Sequence, residues 1–382
     1  MAAVTRGAVV CRYCRSTEGK HVLDLGLQPA SECFPIVTDP GPDPMSPLRL
    51  WWCAGCGLAQ LADDTDLPER PEGDEPDALV RQRRDAVAEL RAAGLLRAGA
   101  TVAEGATPHG GTWLPNLTEL GLRPIAEGER AADVFVDGVF GMMHAVDQAA
   151  ALDASLARLA PDGLLLLQFH SLAAIVGHEQ WNAVRHGHYA YYSTPVIQRM
   201  LRDRGLTLTH AWTFPLYGGT VLVAARRGAA AAVDASVERT ISAEVAAGVL
   251  DPDALAGLQH AVDRSTSTLG HLLDTSSAEG RVVYGYSAAS RAVALLHLTG
   301  VSKRRLPAVA DSSPGKHGCR MPGTDVPVVS PAELVAAAPE LVILFVPDLL
   351  AEVRRALPEV ERQGGRWIDP GVIRLPSSRV TP

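Results

Sequence analysis

Four of the six cysteines in this 382-residue chain fall in two Cys-x-x-Cys pairs, Cys11-Arg-Tyr-Cys14 and Cys53-Ala-Gly-Cys56. Each pair places two thiolates close enough to share one ion, and two pairs complete the tetrahedral four-sulfur shell that holds Zn²⁺. Gly55 and Gly57 give the second pair the tight backbone such a knuckle needs. Redox pairs of this spacing require a thioredoxin-like strand–helix context, which is absent around both pairs. A closed four-thiolate shell leaves no position for substrate, so the expected role of the metal is structural. The 38 residues between the pairs exceed a simple ribbon loop and imply an insertion with its own short strands. Cys33 and Cys319 lack partners at ligand spacing and read as ordinary thiols.

Two further segments concentrate chemical groups. In Arg185-His-Gly-His188, followed by Tyr189, Tyr191 and Tyr192, the two histidines lie two apart. In an extended segment they would point to the same side. With His170 or His178 they could form a second metal site, although no carboxylate falls at a supporting spacing; catalysis and simple polar packing are the competing readings. The tyrosines read equally as wall or as chemistry. The second segment, Val102-Ala-Glu-Gly-Ala-Thr-Pro-His-Gly-Gly111, is a strand end with an acid, Glu104, and a glycine pair. It suits a cofactor loop opening a helix, and a plain glycine-rich turn would look much the same.

These groups need elements to position them. The length predicts two or three domains. Asp63 to Asp77 is acidic and proline-rich and reads as a solvated connector. Ala78 to Leu96 is an Arg- and Ala-rich helical stretch. Apolar runs at Thr101–Glu104, Asp133–Val136, Leu164–Phe169 and Val221–Ala225 then alternate with helical patterns, which predicts βαβ units and a mainly parallel sheet. An Ala-rich stretch, Gly228 to Glu279, reads as two bridging helices. A second α/β unit has strands at Arg281–Tyr286, Ala308–Asp311, Val326–Val329 and Leu341–Phe345. The expected organisation is α/β: a zinc-binding module at 1–66, a shortened Rossmann-like domain at 67–227, a helical bridge at 228–279 and a Rossmann-like domain at 280–382.

Composition narrows the class. A formal charge of −8 and a pI near 5.8, with no basic stripe interleaved with aromatics, argue against a nucleic-acid partner. Apolar runs such as Leu164–Leu167 and Leu341–Val346 are too short to span a bilayer, so no membrane partner is expected. No apolar signal core follows Met1, and unpaired thiols fit a reducing compartment, so the expected location is the cytoplasm.

The order of these parts resembles the nucleotide-sugar (TDP-deoxysugar) C-methyltransferase family, in which a four-cysteine zinc module precedes an S-adenosylmethionine (SAM) domain of class I and a Rossmann-like C-terminal domain. The clearest similarity is C-terminal: Val283-Tyr-Gly-Tyr-Ser-Ala-Ala-Ser-Arg291, Asp311-Ser-Ser-Pro-Gly-Lys-His-Gly318 and Pro322-Gly-Thr-Asp-Val-Pro-Val-Val-Ser-Pro331. They look like the family's glycine/alanine turn, its Asp-x-x-Pro-x-Lys-x-Gly loop and its Pro-Gly-x-x-x-Pro-x-x-x-Pro segment. Val139-Phe-Gly-Met-Met-His144 and Leu159-Ala-Pro-Asp-Gly163 fit a methyltransferase's later strand and helix.

The site segments depart from the family. Its Tyr-His-Glu-His run is Arg185-His-Gly-His188 here, its His-Gly-Gly-Ser is Tyr217-Gly-Gly-Thr220, and its Glu-x-Gly-Ser-Asn-Asp-Gly cofactor loop is Glu104-Gly-Ala-Thr-Pro-His-Gly110. Between Ala126 and Asp133 the chain is too short for the strand–helix pair that follows the ribose-binding acid, a position Glu127 would fill. The resemblance implies that Glu104, Ala106, Gly110 and Glu127 hold the cofactor. It also implies a reaction in which a base removes the proton alpha to a sugar ketone and the enolate carbon attacks the SAM methyl group. His188 is the expected base, with His186 as the other candidate, because imidazole titrates near working pH. Arg185 places a fixed charge where the family has a hydroxyl, suited to an enolate, carboxylate or phosphate, with Tyr217 nearby in the site. Three functions follow: a SAM-dependent C-methyltransferase of natural-product biosynthesis acting on a nucleotide-linked sugar or related metabolite; a SAM-independent relative doing other enolate, elimination or rearrangement chemistry; or a non-catalytic member. Oligomeric state is not predicted.

Overall fold

A computed structural model of the protein describes residues 8–65, 67, 75, 77–108, 110–126, 129–228 and 232–369. The first strands are β1 (Gly19–Pro29), β2 (Met45–Cys53), β3 (Ala59–Leu61), β4 (Thr101–Glu104), β5 (Arg123–Pro124), β6 (Ala132–Asp137) and β7 (Leu159–His170). They are followed by β8 (Ala190–Tyr191), β9 (Leu206–Phe214), β10 (Thr220–Arg227), β11 (Val283–Tyr286), β12 (Val309–Ala310), β13 (Val328–Val329), β14 (Leu341–Leu344) and β15 (Arg366–Ile368). The helices used below are α1 (Asp77–Ala92), α2 (Leu114–Glu119), α3 (Gln148–Ala157), α4 (Leu172–Gly177), α5 (Thr194–Arg202), α6 (Ala235–Ala246), α7 (Pro252–Ala278) and α8 (Ser290–Leu298).

The central sheet has the order β5-β4-β6-β7-β10-β9. Strands β5, β4, β6 and β7 are parallel, and β10 runs antiparallel to both of its neighbours. The inner strands β6, β7 and β10 carry long apolar runs because both of their faces are covered there. Val134, Val136, Leu164 and Leu166 point into one core with Trp113, while Phe135, Leu165 and Leu167 point into another, as the period of two requires. The four runs predicted for this sheet lie on observed strands, and the sheet is mainly parallel as expected, with β10 antiparallel to both of its neighbours. The edge strand β5 has two residues, both exposed, and no described strand pairs beyond it.

The C-terminal sheet, β13-β12-β11-β14-β15, is parallel throughout. The N-terminal sheet runs β1-β2-β3-β8, so two residues from between the central strands β7 and β9 complete it. Helix α7, 27 residues long and capped by Asp251, lays Leu255, Leu258, Leu269 and Leu273 into a core shared with Leu23 and Leu25 of β1 and Val283 and Ile343 of the C-terminal sheet. The zinc-bearing sheet is thereby fused to the rest of the molecule. A second tie is the ion pair of Asp43 with Arg320 (2.6 and 2.7 Å), in which Asp43 also accepts from the Gly323 N–H at 2.6 Å.

The stretch read as a solvated connector is engaged at its described ends. Asp63 pairs with Arg49, Asp64 accepts from Arg12 at 2.6 Å, and Glu75 accepts from Arg83 at 2.7 Å. Buried or half-buried arginines in the folded parts capture these acids, a pairing that composition alone does not register.

Candidate metal centre and active-site cavity

The four cysteine sulfurs converge. Cys53 ends β2, and the Gly57 N–H returns to its carbonyl at 2.8 Å, making a knuckle that presents Cys53 and Cys56 together. The Cys11 and Cys56 sulfurs are 3.6 Å apart and those of Cys14 and Cys53 3.5 Å, with all four ligand atoms inside 4.8 Å. Sulfurs bound tetrahedrally to one zinc at 2.3 Å lie about 3.8 Å from each other, and a disulfide would need about 2 Å. The donor set therefore fits one structural zinc. Among the described residues no other His, Cys, Asp or Glu group gathers in this way, which removes the second metal site considered for His170, His178, His186 and His188.

A cavity of about 360 Å³ lies where the three sheets meet. The connection between β1 and β2 contributes Glu32; the central domain contributes Gly110, Val139, Phe140, His144, Arg185, His188 and Tyr217; the C-terminal sheet contributes the turns after its strands. Phe140, Tyr217 and Ser287, three of the six non-glycine residues with positive φ among the described residues, border it. Each such conformation costs about 1–3 kcal/mol, and these residues cluster where function holds them.

The segment Arg185–His188 is a tight turn, closed by the His188 N–H on the Arg185 carbonyl (3.4 Å), with Gly187 at φ +82°. A residue in that region third in a turn is favoured as glycine, which gives Gly187 a local reason to stand there. The turn corrects the expectation that the two histidines share a side. His186 is buried under the zinc-bearing sheet, donating to the Pro47 carbonyl at 3.2 Å, and burial holds its pKa below the usual value. His188 faces the cavity. Because a turn brings its first and fourth residues together, Arg185 Nη2 stands 2.6 Å from His188 Nε2. An arginine only donates, so this nitrogen of His188 accepts and the ring is neutral with Nδ1 protonated.

Arg185 is anchored from three directions. It is paired with Glu32 (each side chain 14% exposed), and it donates to Ser290 Oγ of α8 at 2.6 Å. Burial lowers its pKa to about 10, which leaves it charged at neutral pH. Tyr191 fixes the turn from behind, its hydroxyl accepting from the Arg185 N–H at 3.0 Å, and Tyr192 bonds to Gln148 in the core. Neither tyrosine lines the cavity; both are buried packing behind it.

Across the cavity, Asp137 at the end of β6 accepts from the Gly141 and Met142 N–H groups, each at 2.7 Å. Burial raises its pKa to about 6. That clamp sets the turn carrying Phe140 and His144, whose ring meets the His188 ring edge-on at 4.7 Å. Tyr217 sits on the short helical turn between β9 and β10, 4.9 Å beneath the guanidinium of Arg291, and burial pushes its phenol up, so it is a proton donor. His170 is held neutral by burial, its pKa near 3.

The residues expected to hold the cofactor are only partly at the cavity. Gly110 lines it, with nothing within 4 Å of the place a Cβ would take. Glu104 is turned inward, accepting from Thr112 Oγ1 at 2.5 Å and the Trp113 N–H at 2.7 Å at the start of α2. The Ala106 carbonyl packs onto Gly141, where a Cβ would overlap it. Glu127 lies outside the described residues.

Comparison with known proteins follows this division. Residues 11–69 match the family described as "Putative zinc binding domain", and residues 215–371 match the "C-methyltransferase C-terminal domain", together more than half of the chain. Residues 215–371 therefore carry a C-methyltransferase C-terminal domain. It is 26% identical over 238 residues to the C-methyltransferase NovU of Streptomyces niveus, a stretch covering 62% of this chain but 56% of that relative. Among solved structures it is similar to the 1,6-didemethyltoxoflavin-N1-methyltransferase of Burkholderia thailandensis (17% identity, TM-score 0.31, 45% of this chain and 96% of that one), solved with S-adenosylhomocysteine. Another is the N-methyltransferase NodS of Bradyrhizobium japonicum (15%, 0.27, 40% and 98%).

Within this cavity, sequence reasoning missed Glu32, His144, Ser290 and Arg291. His144 and Arg291 end the quoted segments Val139–His144 and Val283–Arg291, so their positions were at hand without their roles. Nothing local to Glu32 announces that it meets Arg185.

Proposed function

We propose that the cavity is the active site of a C-methyltransferase that takes a small substrate with an enolisable carbonyl, a nucleotide-linked sugar or a related metabolite. The observation that carries this reading is the Arg185–His188 contact at 2.6 Å on the cavity wall, with Glu32 on the far side of the guanidinium. Arg185 holds His188 neutral and fixed in orientation. On substrate entry the Nε2 lone pair turns from Arg185 to the proton alpha to the carbonyl, and the Tyr217 hydroxyl donates to the oxygen on which enolate charge grows. Buried surroundings keep that phenol protonated for the purpose. Glu32 offsets the arginine's charge, so the imidazolium formed at His188 is not left beside an uncompensated cation.

SAM, when bound, would supply the methyl cation equivalent that the enolate carbon takes up. Gly110, Val139 and Phe140 are the residues placed to hold its amino-acid end, since Gly110 leaves open space beside the cavity. The adenosine end has less to rest on, because β5 is a two-residue strand with no described strand beyond it. That observation favours a second reading, in which the same base and acid run enolate chemistry without methyl transfer.

The two readings separate experimentally. Calorimetric titration of the purified zinc-loaded protein with SAM gives low-micromolar binding or tighter, about −8 kcal/mol, under the first and none under the second. In heavy water, the alpha carbon of a keto-sugar nucleotide should exchange its proton in either case. Replacing His188 by Asn should slow that exchange by ~10²–10⁴-fold, with His186→Asn far milder. Exchange that survives His188→Asn and fails in His186→Asn would reverse the assignment; no exchange with any keto-sugar would remove it.

A further inference from the structure

Two residues lie between Cys11 and Cys14, and their side chains leave the zinc knuckle in different directions. Tyr13 reaches the C-terminal end of α5, where its hydroxyl donates to Asp203 at 2.8 Å and accepts from Arg204 at 2.9 Å. Arg12 reaches the segment that carries the proposed base. Both are 7% exposed, so each is a buried tether between the zinc-bearing module and the central domain. What separates them is what stands at the other end.

The guanidinium of Arg12 is engaged on its edges and on its face. Nε and Nη2 donate to the Leu61 carbonyl, each at 3.2 Å, and Nη2 donates also to the Asp63 carbonyl at 3.2 Å and to Asp64 at 2.6 Å. Nη1 donates to the Val146 carbonyl at 3.3 Å, two residues beyond His144. The face lies 4.7 Å over the ring of Tyr189, the residue after His188. Tyr189 is itself held along its backbone, its N–H donating to the Met143 carbonyl at 2.8 Å and its carbonyl accepting from the Leu61 N–H at 3.1 Å. The main chain of Arg12 adds another line. Its carbonyl accepts from the Gln148 N–H at 3.0 Å, and the Gln148 amide donates to the Met142 and Ala145 carbonyls at 3.0 and 2.6 Å. Arg12 thus spans both segments that bring an imidazole to the cavity, and the rings of His144 and His188 meet edge-on at 4.7 Å.

A planar fork can hold carbonyls on separate segments at once, which a point-charge ammonium cannot. We propose that Arg12 is a positioning residue for His188: it carries the geometry of the zinc knuckle to the base and fixes how His188 meets His144, without itself lining the cavity. This inference rests on the reading of His188 as the base. Misplacing a reacting group by about 1 Å costs up to ~10²-fold in rate, so a residue that only positions can have a large kinetic effect.

The test compares the two tethers in the full-length zinc-loaded protein. Zinc content and circular dichroism establish that Arg12→Gln, Arg12→Lys and Tyr13→Phe are loaded and folded. In NMR spectra of histidine-labelled protein, Arg12→Gln should weaken the cross-peak between the His144 and His188 rings and move both ring resonances, while Tyr13→Phe leaves them in place. In heavy water, the maximal rate of alpha-proton exchange on a thymidine diphosphate-linked keto-sugar should fall ~10- to 100-fold in Arg12→Gln, with KM changed by less than ~3-fold. Arg12→Lys should fall between, and Tyr13→Phe should stay within ~2-fold of the wild type. Should Arg12→Gln not fold, Arg12→Lys carries the same comparison; loss of fold in both would show a purely structural tether and overturn the proposal. It is also overturned if the ring contact is absent from the wild type or unchanged in Arg12→Gln, if exchange is undiminished where the contact is lost, if the loss appears in KM, or if Tyr13→Phe does the same. No exchange in the wild type would remove His188 as the base, while the ring spectra would still decide whether Arg12 positions it.

Discussion

Replacing Glu32 by Gln keeps the shape of the side chain and removes one charge, and its effect should be read at His188, three atoms' reach beyond Arg185. With charge centres roughly 4–5 Å apart and an effective dielectric near 20, an uncompensated guanidinium costs a neighbouring imidazolium about 4 kcal/mol. Glu32 sits on the other side of that guanidinium. At ~7 Å from the imidazole its carboxylate returns about 2 kcal/mol of favourable interaction. Losing it disfavours the protonated ring, so the titration midpoint of His188 should fall in Glu32→Gln by about 1.5 pH units.

The measurement is a histidine ring titration by NMR on uniformly labelled protein, with His188 assigned by its disappearance in His188→Asn. Because His144 touches His188 edge-on, its own resonance is followed as well. Arg185→Gln should move the His188 midpoint in the opposite direction, since it removes the repelling cation. A Glu32→Gln midpoint unchanged within about 0.3 unit, or one that rises, would show that the carboxylate does not compensate Arg185 and would refute the electrostatic argument.

Three other outcomes are expected. Metal analysis should find about one zinc per chain, and because structural zinc contributes about 10–16 kcal/mol, strong chelation or Cys53→Ser should unfold the N-terminal sheet by circular dichroism; a Cys53→Ser protein fully folded without metal would contradict the assignment. Asp43→Ala should cost about 3–5 kcal/mol in denaturant unfolding, because it strands Arg320, 9% exposed, without its partner. Burial alone would raise the Asp43 carboxyl, but Arg320 and the Gly323 N–H outweigh it and hold the pKa low, so this stability is present above the usual carboxylate value and drains as pH falls through the lowered one; a Tm difference between wild type and Asp43→Ala that does not shrink in acid would count against it.

What the sequence disclosed follows the range of the interactions concerned. The zinc ligands were legible because each pair is a local spacing, and the strands β4, β6, β7 and β10 because runs such as Leu164–Leu167 are apolar on both faces. The spacing of two puts His186 and His188 on one side only in an extended segment, whereas Gly187 takes φ +82° and sends them to different places. The pairing of β8 with the zinc-bearing sheet rests on two residues, too few for a periodic signal. Glu32 was invisible for a different reason: its partner lies 153 positions away, and no local pattern encodes a contact of that separation.

The departures at the family's catalytic segment make sense as one coupled arrangement. An arginine in the place of the family's tyrosine puts a positive charge against the base, and a glycine in the place of its glutamate removes the carboxylate that would have answered that charge locally. Taken alone, the two changes would leave His188 unable to accept a proton at neutral pH. In the folded chain the missing carboxylate comes from another domain, since Glu32 of the zinc-bearing module closes on Arg185 while Ser290 of α8 accepts from the same guanidinium. The turn that Gly187 permits brings Arg185 and His188 together in the first place. On the proposed reading, the zinc-bearing module therefore bears on the chemistry through the fold that delivers Glu32 to Arg185.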